Sequence, residues 1–141
     1  MTQPVRPSAI AKLPTSVPGL DTITHGGLPK GRATLITGKS GTCKSVLSLQ
    51  IAANLARTGT KTLVIAVEEE PADLLVTGDS LGFRVTELVR QGALRIVDLT
   101  KPMEGPTYVA GSYDLSGLLH RLDAAARELG AKPSRARAAL A

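Results

Sequence analysis

The sequence predicts an α/β domain, a parallel-sheet core flanked by helices, and three observations carry that reading. Residues 33–37 and 61–67 are short, continuous apolar runs, the pattern of strands covered on both faces. Helical patterning, with apolar residues every three or four positions, follows each run. A glycine-rich turn, Gly38-Lys39-Ser40-Gly41-Thr42-Cys43-Lys44-Ser45, joins the first run to the first long helix. Strands that alternate with helices specify β-α-β units and hence a parallel sheet.

Taken in order, residues 1–12 read as a loose leader, with Pro4 and Pro7 and no apolar stretch of a secretory signal. Leu13-Pro14-Thr15-Ser16-Val17-Pro18-Gly19-Leu20-Asp21 and His25-Gly26-Gly27-Leu28-Pro29-Lys30-Gly31 are loop or short-turn material. Residues 33–37 follow as a buried strand. Residues 44–57 then form a helix, with Leu47, Ile51 and Leu55 in one row beside Val46, Leu49, Ala52, Ala53 and Ala56, and Gly59 as its stop. The second strand, 61–67, closes in Glu68-Glu69-Glu70. Pro71 opens a short helix at its first position, with Leu74, Leu75 and Leu81 facing inward and Gly78 weakening it. A further short helix spans 86–91, and 93–98 is a third strand. Pro102, Gly105 and Pro106 mark a loop, after which Asp114 caps a helix over 115–129. Its stripe of Leu115, Leu118, Leu119, Leu122, Ala125, Ala126 and Leu129 is the cleanest helical signal in the chain. Proline and three cations in the last ten residues argue against a central strand there. The expected division is a domain over 13–131 and a basic tail over 132–141.

A chain of 141 residues has room for one domain. No apolar run approaches the roughly 20 residues needed to span a bilayer, so no membrane is expected and the cytosol is the expected compartment. The single cysteine, Cys43, cannot form an internal disulfide, which fits a reducing environment. The net charge is +5, but Lys132, Arg135 and Arg137 supply three of those charges and leave +2 for the rest. The aromatics are Phe83, Tyr108 and Tyr113, too few for the stacking platform of a single-strand binder, so nucleic acid is not an expected partner.

The turn over 38–45 reads as a phosphate-cradling loop. A strand ends, backbone N–H groups turn inward, and a helix begins with the positive end of its dipole at the same point. Gly38, Lys39, Ser40, Gly41, Thr42 and Cys43 would wrap a nucleotide's phosphates, Lys44 would reach the β- and γ-phosphates, and Ser45 would coordinate Mg2+. Cys43 departs from the pattern G-x-x-x-x-G-K-[ST], which has glycine there because the backbone torsions disfavour a Cβ. A turn that merely imitates the loop is the competing reading.

Together with that loop, Ser16-Val17-Pro18-Gly19-Leu20-Asp21, His25-Gly26-Gly27-Leu28-Pro29-Lys30-Gly31, Val67-Glu68-Glu69-Glu70-Pro71 and Gly111-Ser112-Tyr113-Asp114-Leu115-Ser116 resemble the KaiC family of RecA-like ATPases. The resemblance implies a partial RecA-like P-loop NTPase domain that uses ATP and Mg2+. It also implies hexameric rings with nucleotide between subunits, slow ATP hydrolysis and, in clock-type members, serine/threonine autokinase activity. Glu68 and Glu69 match the family's paired glutamates, which would orient and deprotonate the attacking water; a solvated acidic turn is the alternative. His25 reads as a surface-loop histidine, with nucleotide or subunit contact as the alternative, and His120 as a solvated one.

In the family the helix over 115–129 is followed by an apolar strand ending in aspartate, the Walker B element of the metal site. The text after Lys132 does not read as that strand, and a reading frame lost near Lys132 would account for it. The strand over 33–37 is then expected to lack ladder partners, and hydrolysis is expected to be impaired. Two alternatives stay open: a non-catalytic nucleotide-binding module that modulates a full-length ring, and a RecA-type recombinase fragment binding DNA.

Overall fold

The computed structural model describes residues 10–99, 115–130 and 137–140, the last four and 115–118 by backbone alone. The leader over 1–9, the loop at 102–106, the Gly111 to Asp114 stretch with its expected cap, and 131–136 lie outside the described residues.

The centre is β3, Thr62–Ala66, whose five residues are all buried. It pairs in parallel with β4, Leu94–Asp98, from Thr62 opposite Leu94 to Ala66 opposite Asp98. On its other edge it pairs in parallel with β5, Arg137–Leu140, from Thr62 opposite Arg137 to Ile65 opposite Leu140. Alternate residues of β3 serve opposite helix layers, as the two-residue period of a strand requires. Val64 and Ala66 pack with Leu49, Ala52, Ala53 and Ala56 of α2, Lys44–Arg57, with Leu74 of α3, Pro71–Ser80, and with Val85 and Leu88 of α4, Val85–Arg90. Leu63 packs instead with Val97 of β4 and Ala125 of α5, Leu115–Glu128. Helices on both faces are the reason the run over 61–67 carries no polar alternation.

Residues 58–61 are all that separates α2 from β3, and α2 lies on that same strand. A helix joined so closely to the strand it covers must run back antiparallel to it. The amino end of α2 and the carboxyl end of β3 therefore face the same end of the layer.

Two expectations about strands need correction. Residues 33–37 form no strand, and Leu35 is 86% exposed. Among the described residues the sheet runs β4-β3-β5 and none of these strands pairs with 33–37, so the segment lacks the ladder partners that a strand needs. Conversely, 137–140 does form a strand following α5, within the tail whose composition argues against one. It sits at the sheet's edge, where a run with poor strand propensity is best tolerated.

Among the helices, α2 matches its expected span, while Leu81, expected to face inward, is 51% exposed because it lies past the end of α3 in the turn toward α4. Gly78 is buried for a reason beyond propensity: a Cβ there would run into Val85 and lie 3.1 Å from Leu49. The bare residue lets α3 approach α2 and α4. In α5 the inward stripe holds at Ala125, Ala126 and Leu129, and fails at Leu119, which is 64% exposed. Among the described residues no helix is long and apolar enough to cross a membrane.

The amino-terminal turns are more ordered than their composition implies. Short strands β1, Lys12–Leu13, and β2, Leu28–Pro29, pair antiparallel around α1, Leu20–Ile23. Gly27, at φ 109°, is obligatory because a Cβ would strike the Leu13 carbonyl. The Asp21 carboxylate accepts the Thr15 hydroxyl at 2.7 Å, the Thr15 amide at 2.9 Å and the Ser16 amide at 2.9 Å. Asn54 of α2 donates to the Thr15 and Ser16 carbonyls at 3.0 and 3.2 Å, which ties this module to the core.

Those bonds lower the Asp21 carboxyl below its ordinary 3.8, the Thr15 hydroxyl first and the Thr15 amide next. Asp79 is lowered likewise, by the Thr86 side chain first and the Thr86 amide next. A folded-state value below the unfolded one stabilises the fold above the ordinary carboxylate value and loses that contribution as pH falls through the folded value. Thermal melts are expected to hold steady from neutral pH toward 3.8 and then decline. In Asp21→Asn the melt should start lower at neutral pH and fall less steeply in acid; an unchanged acid limb would show that Asp21 contributes nothing.

Candidate functional site

The candidate site is built on the amino end of α2. Cys43 is its N-cap residue, in the left-handed region at φ 58°, ψ 31°, and its side chain caps none of the helix's free amides. Thiols are poor caps, and the first N–H groups of a helix have no carbonyl to reach within it. The first turn of α2 therefore presents uncapped donors and the positive end of the helix dipole.

Around this point the loop folds onto one acceptor. The Lys39 carbonyl receives the Lys44 ammonium at 2.9 Å, the Thr42 hydroxyl at 2.8 Å and the Thr42 amide at 3.3 Å. An ammonium has three donors and this contact uses one, so Lys44 keeps donors for an anion beside the uncapped amides. Gly38 leaves room for the turn: a Cβ there would stand 2.6 Å from the Thr42 hydroxyl oxygen, which would have to move. Gly41, at φ 81°, supplies the other turn. Residues 38–43 are exposed, whereas Lys44 and Ser45 are half-buried at the root of the helix.

The structure thus brings Gly38, Lys39, Ser40, Gly41, Thr42, Cys43, Lys44 and Ser45 together as one loop at a helix start. The strand expected to feed that loop is not formed. These residues fit a phosphate chain, since donors, a cation and the positive end of the helix dipole converge there. For Mg2+ the fit is narrower. Ser45 offers a hydroxyl, and among the described residues no three His, Cys, Asp or Glu side chains cluster to hold a metal by themselves.

The paired glutamates follow the end of β3, the edge of the layer that the start of α2 also faces. Strand geometry stops at Ala66, so Glu68, Glu69 and Glu70 lie beyond the strand. Glu69 is half-buried, while Glu68 and Glu70 are exposed and Glu70 becomes the N-cap residue of α3. His25, at φ 53°, and His120 are both exposed. Sequence reasoning missed the Lys39 carbonyl as the loop's organising acceptor, because a backbone oxygen has no residue type to betray it. It also missed the depression lined by Asp79, Arg84, Thr86, Glu87 and Arg90. That depression lies toward the far end of α2, where Arg57 donates to the Phe83 carbonyl, and Glu87 already pairs with Arg84 and Arg90.

Residues 13–135 match the family described as "ATPase: KaiC". The chain belongs to the KaiC ATPase family. It is 43% identical over 124 residues to the circadian clock oscillator protein KaiC of Prochlorococcus marinus strain MIT 9313, covering 87% of this chain and 25% of that protein. The KaiC proteins of Nostoc and Synechococcus elongatus are each 38% identical, over 89% and 88% of this chain and 24% of their own lengths. The chain spans about a quarter of the length of the curated relatives it matches. Membership in the KaiC family gives the parallel sheet with helices on both faces its class: it is the RecA-like P-loop fold.

A side chain in the left-handed region costs about 1–2 kcal/mol, which glycine does not incur. Cys43→Gly is therefore expected to raise the melting temperature by about 2–8 °C, read by circular dichroism. An unchanged or lower melt would show that the left-handed N-cap is not strained.

Proposed function

We propose that this KaiC-family chain binds Mg-ATP at residues 38–45. The observation that carries the reading is the uncapped start of α2, with the Lys44 ammonium beside it and a left-handed residue at the N-cap. Backbone amides of the loop and of the first helical turn hold the phosphates, Lys44 bonds the β- and γ-phosphate oxygens, and Ser45 offers its hydroxyl to Mg2+. When bound, the metal would draw charge off the transferring phosphoryl group. Glu68 and Glu69 are proposed to orient the attacking water and take its proton.

Hydrolysis is proposed to be impaired, on two observations. The strand after α5 contributes Arg137, Ala138, Ala139 and Leu140 and no carboxylate for the metal site. Residues 33–37, which lead into the loop, have no place in the sheet. The same observations favour a second reading, a nucleotide-binding module without turnover that modulates longer relatives in a shared ring. Serine/threonine autokinase activity and hexameric assembly belong with the family resemblance and are proposals for any longer protein of which this chain is a part.

Calorimetric titration with Mg-ATP is expected to show weak, saturable binding. Loss of the Lys44 charge-assisted bonds, at about 1.5–3 kcal/mol, weakens that binding by roughly 10- to 100-fold in Lys44→Ala. Phosphate release should stay undetectable. Turnover abolished by Lys44→Ala would establish an active ATPase and refute the impairment, and absence of saturable heat from the wild-type chain would refute the nucleotide site.

A further inference from the structure

We propose that the basic rim of Arg57, Lys61, Arg84 and Arg90, around the depression beside α4, docks a carboxylate-rich segment of a partner protein. The four cations share the surface with two carboxylates, and both of these are engaged. Asp79 accepts the Thr86 amide at 3.1 Å, which holds its charge at the start of α4. Glu87, half-buried, accepts Gln91 at 2.7 Å and Arg84 at 3.0 Å, with Arg90 at 3.5 Å. Each guanidinium has five N–H donors, so most of those on Arg84 and Arg90 stay available. Arg57 and Lys61 bond to neutral acceptors, the Phe83 and Gly92 carbonyls, which anchor the side chains and leave their charges uncompensated.

The backbone supplies a second observation. Arg84 sits at φ 55°, ψ 43°, a left-handed position suited to glycine or asparagine, and its side chain caps no amide of α4. Within the chain its charge makes one ion pair, with the side chain 70% exposed, and pairs of that kind add little to stability. A strained position that carries a charge the fold does not need points to binding. The anchoring carbonyls of Phe83 and Gly92 stand at the two ends of a mostly helical stretch, a row of roughly 13 Å that suits an extended chain with several carboxylates. Guanidinium forks match carboxylates in shape as well as charge. Nucleic acid fits less well, because bases need aromatic faces and the one aromatic among the described residues, Phe83, is half-buried against the core. The rim lies at the carboxyl end of α2, about 20 Å along the helix from the phosphate loop, so the proposal does not rest on the nucleotide reading.

Fluorescence anisotropy of the full chain with a fluorescein-labelled oligoglutamate peptide is the test. Saturable binding is expected, weakening as salt rises. Arg84→Gln and Arg90→Gln together should weaken it by about tenfold or more, with the helical signal retained by circular dichroism. The pair Lys30→Gln and Arg32→Gln, which removes as much charge elsewhere, and Lys44→Ala at the phosphate loop should each change the affinity by less than about twofold. Arg84→Gly separates rim from fold: the melting temperature should rise as the left-handed strain is relieved, while peptide affinity falls. The proposal is overturned by absence of saturable binding, by an equal loss in the Lys30 and Arg32 pair or in Lys44→Ala, or by an Arg84→Gly chain that melts lower or binds as the wild type does. A thymidine oligonucleotide that binds the rim more tightly than the peptide also overturns it, in favour of nucleic acid.

Discussion

Burial of β3 on both faces is the constraint on which the rest of this structure depends. Val64 and Ala66 face one helix layer and Leu63 faces the other, so no residue of the strand can be polar toward water without losing a packing partner. Complete burial of a valine, leucine or isoleucine is worth about 1.5–3 kcal/mol, more than any exposed ion pair here contributes. Because α2 is both tethered to β3 and laid upon it, the strand also dictates where α2 begins. The loop over 38–45 is thus placed by a hydrophobic strand.

The loop itself reflects a conflict between a left-handed backbone and the side chain that occupies it. Cys43 adopts the left-handed torsions that the motif assigns to glycine, so the backbone path survives a substitution that opposes it. The helix start enforces that path, since Leu47 donates to the Cys43 carbonyl at 2.9 Å and α2 is held along its length by the core. Lys44 meanwhile rests on the Lys39 carbonyl, a contact that uses one of its three donors. Among the described residues, support for the loop comes from the helical side.

Support of another kind ties the amino-terminal module down. Asp21 gathers Thr15 and Ser16 into a tight turn, Asn54 binds that turn to α2, and Arg57 links Asn54 to the Phe83 carbonyl. These bonds join three stretches of sequence that have no hydrophobic periodicity in common. Asn54 and Arg57 read as ordinary polar positions on a helix, because what distinguishes them is the carbonyl oxygens that folding brings within reach.

Much of the site was legible from local pattern. The octapeptide, its helix and the acidic end of the next strand are each dictated by neighbours within a few residues, and the octapeptide does stand at the start of α2. The burial of β3 was legible for the same reason, since a continuous apolar run is intolerable on any solvated face. The role of Gly78 was not, because propensity ranks glycine as a weakness in a helix, and only the nearness of Val85 and Leu49 turns it into a requirement.

By itself, then, the sequence determined which segments favour helix or strand and where an anion could be met, since these follow from periodicity, capping and backbone freedom. Tertiary structure alone decided which segments share the sheet. A strand needs a partner as well as a propensity: residues 33–37 have the composition of a strand and pair with none of β3, β4 and β5, while Arg137–Leu140 pairs with β3 without the composition.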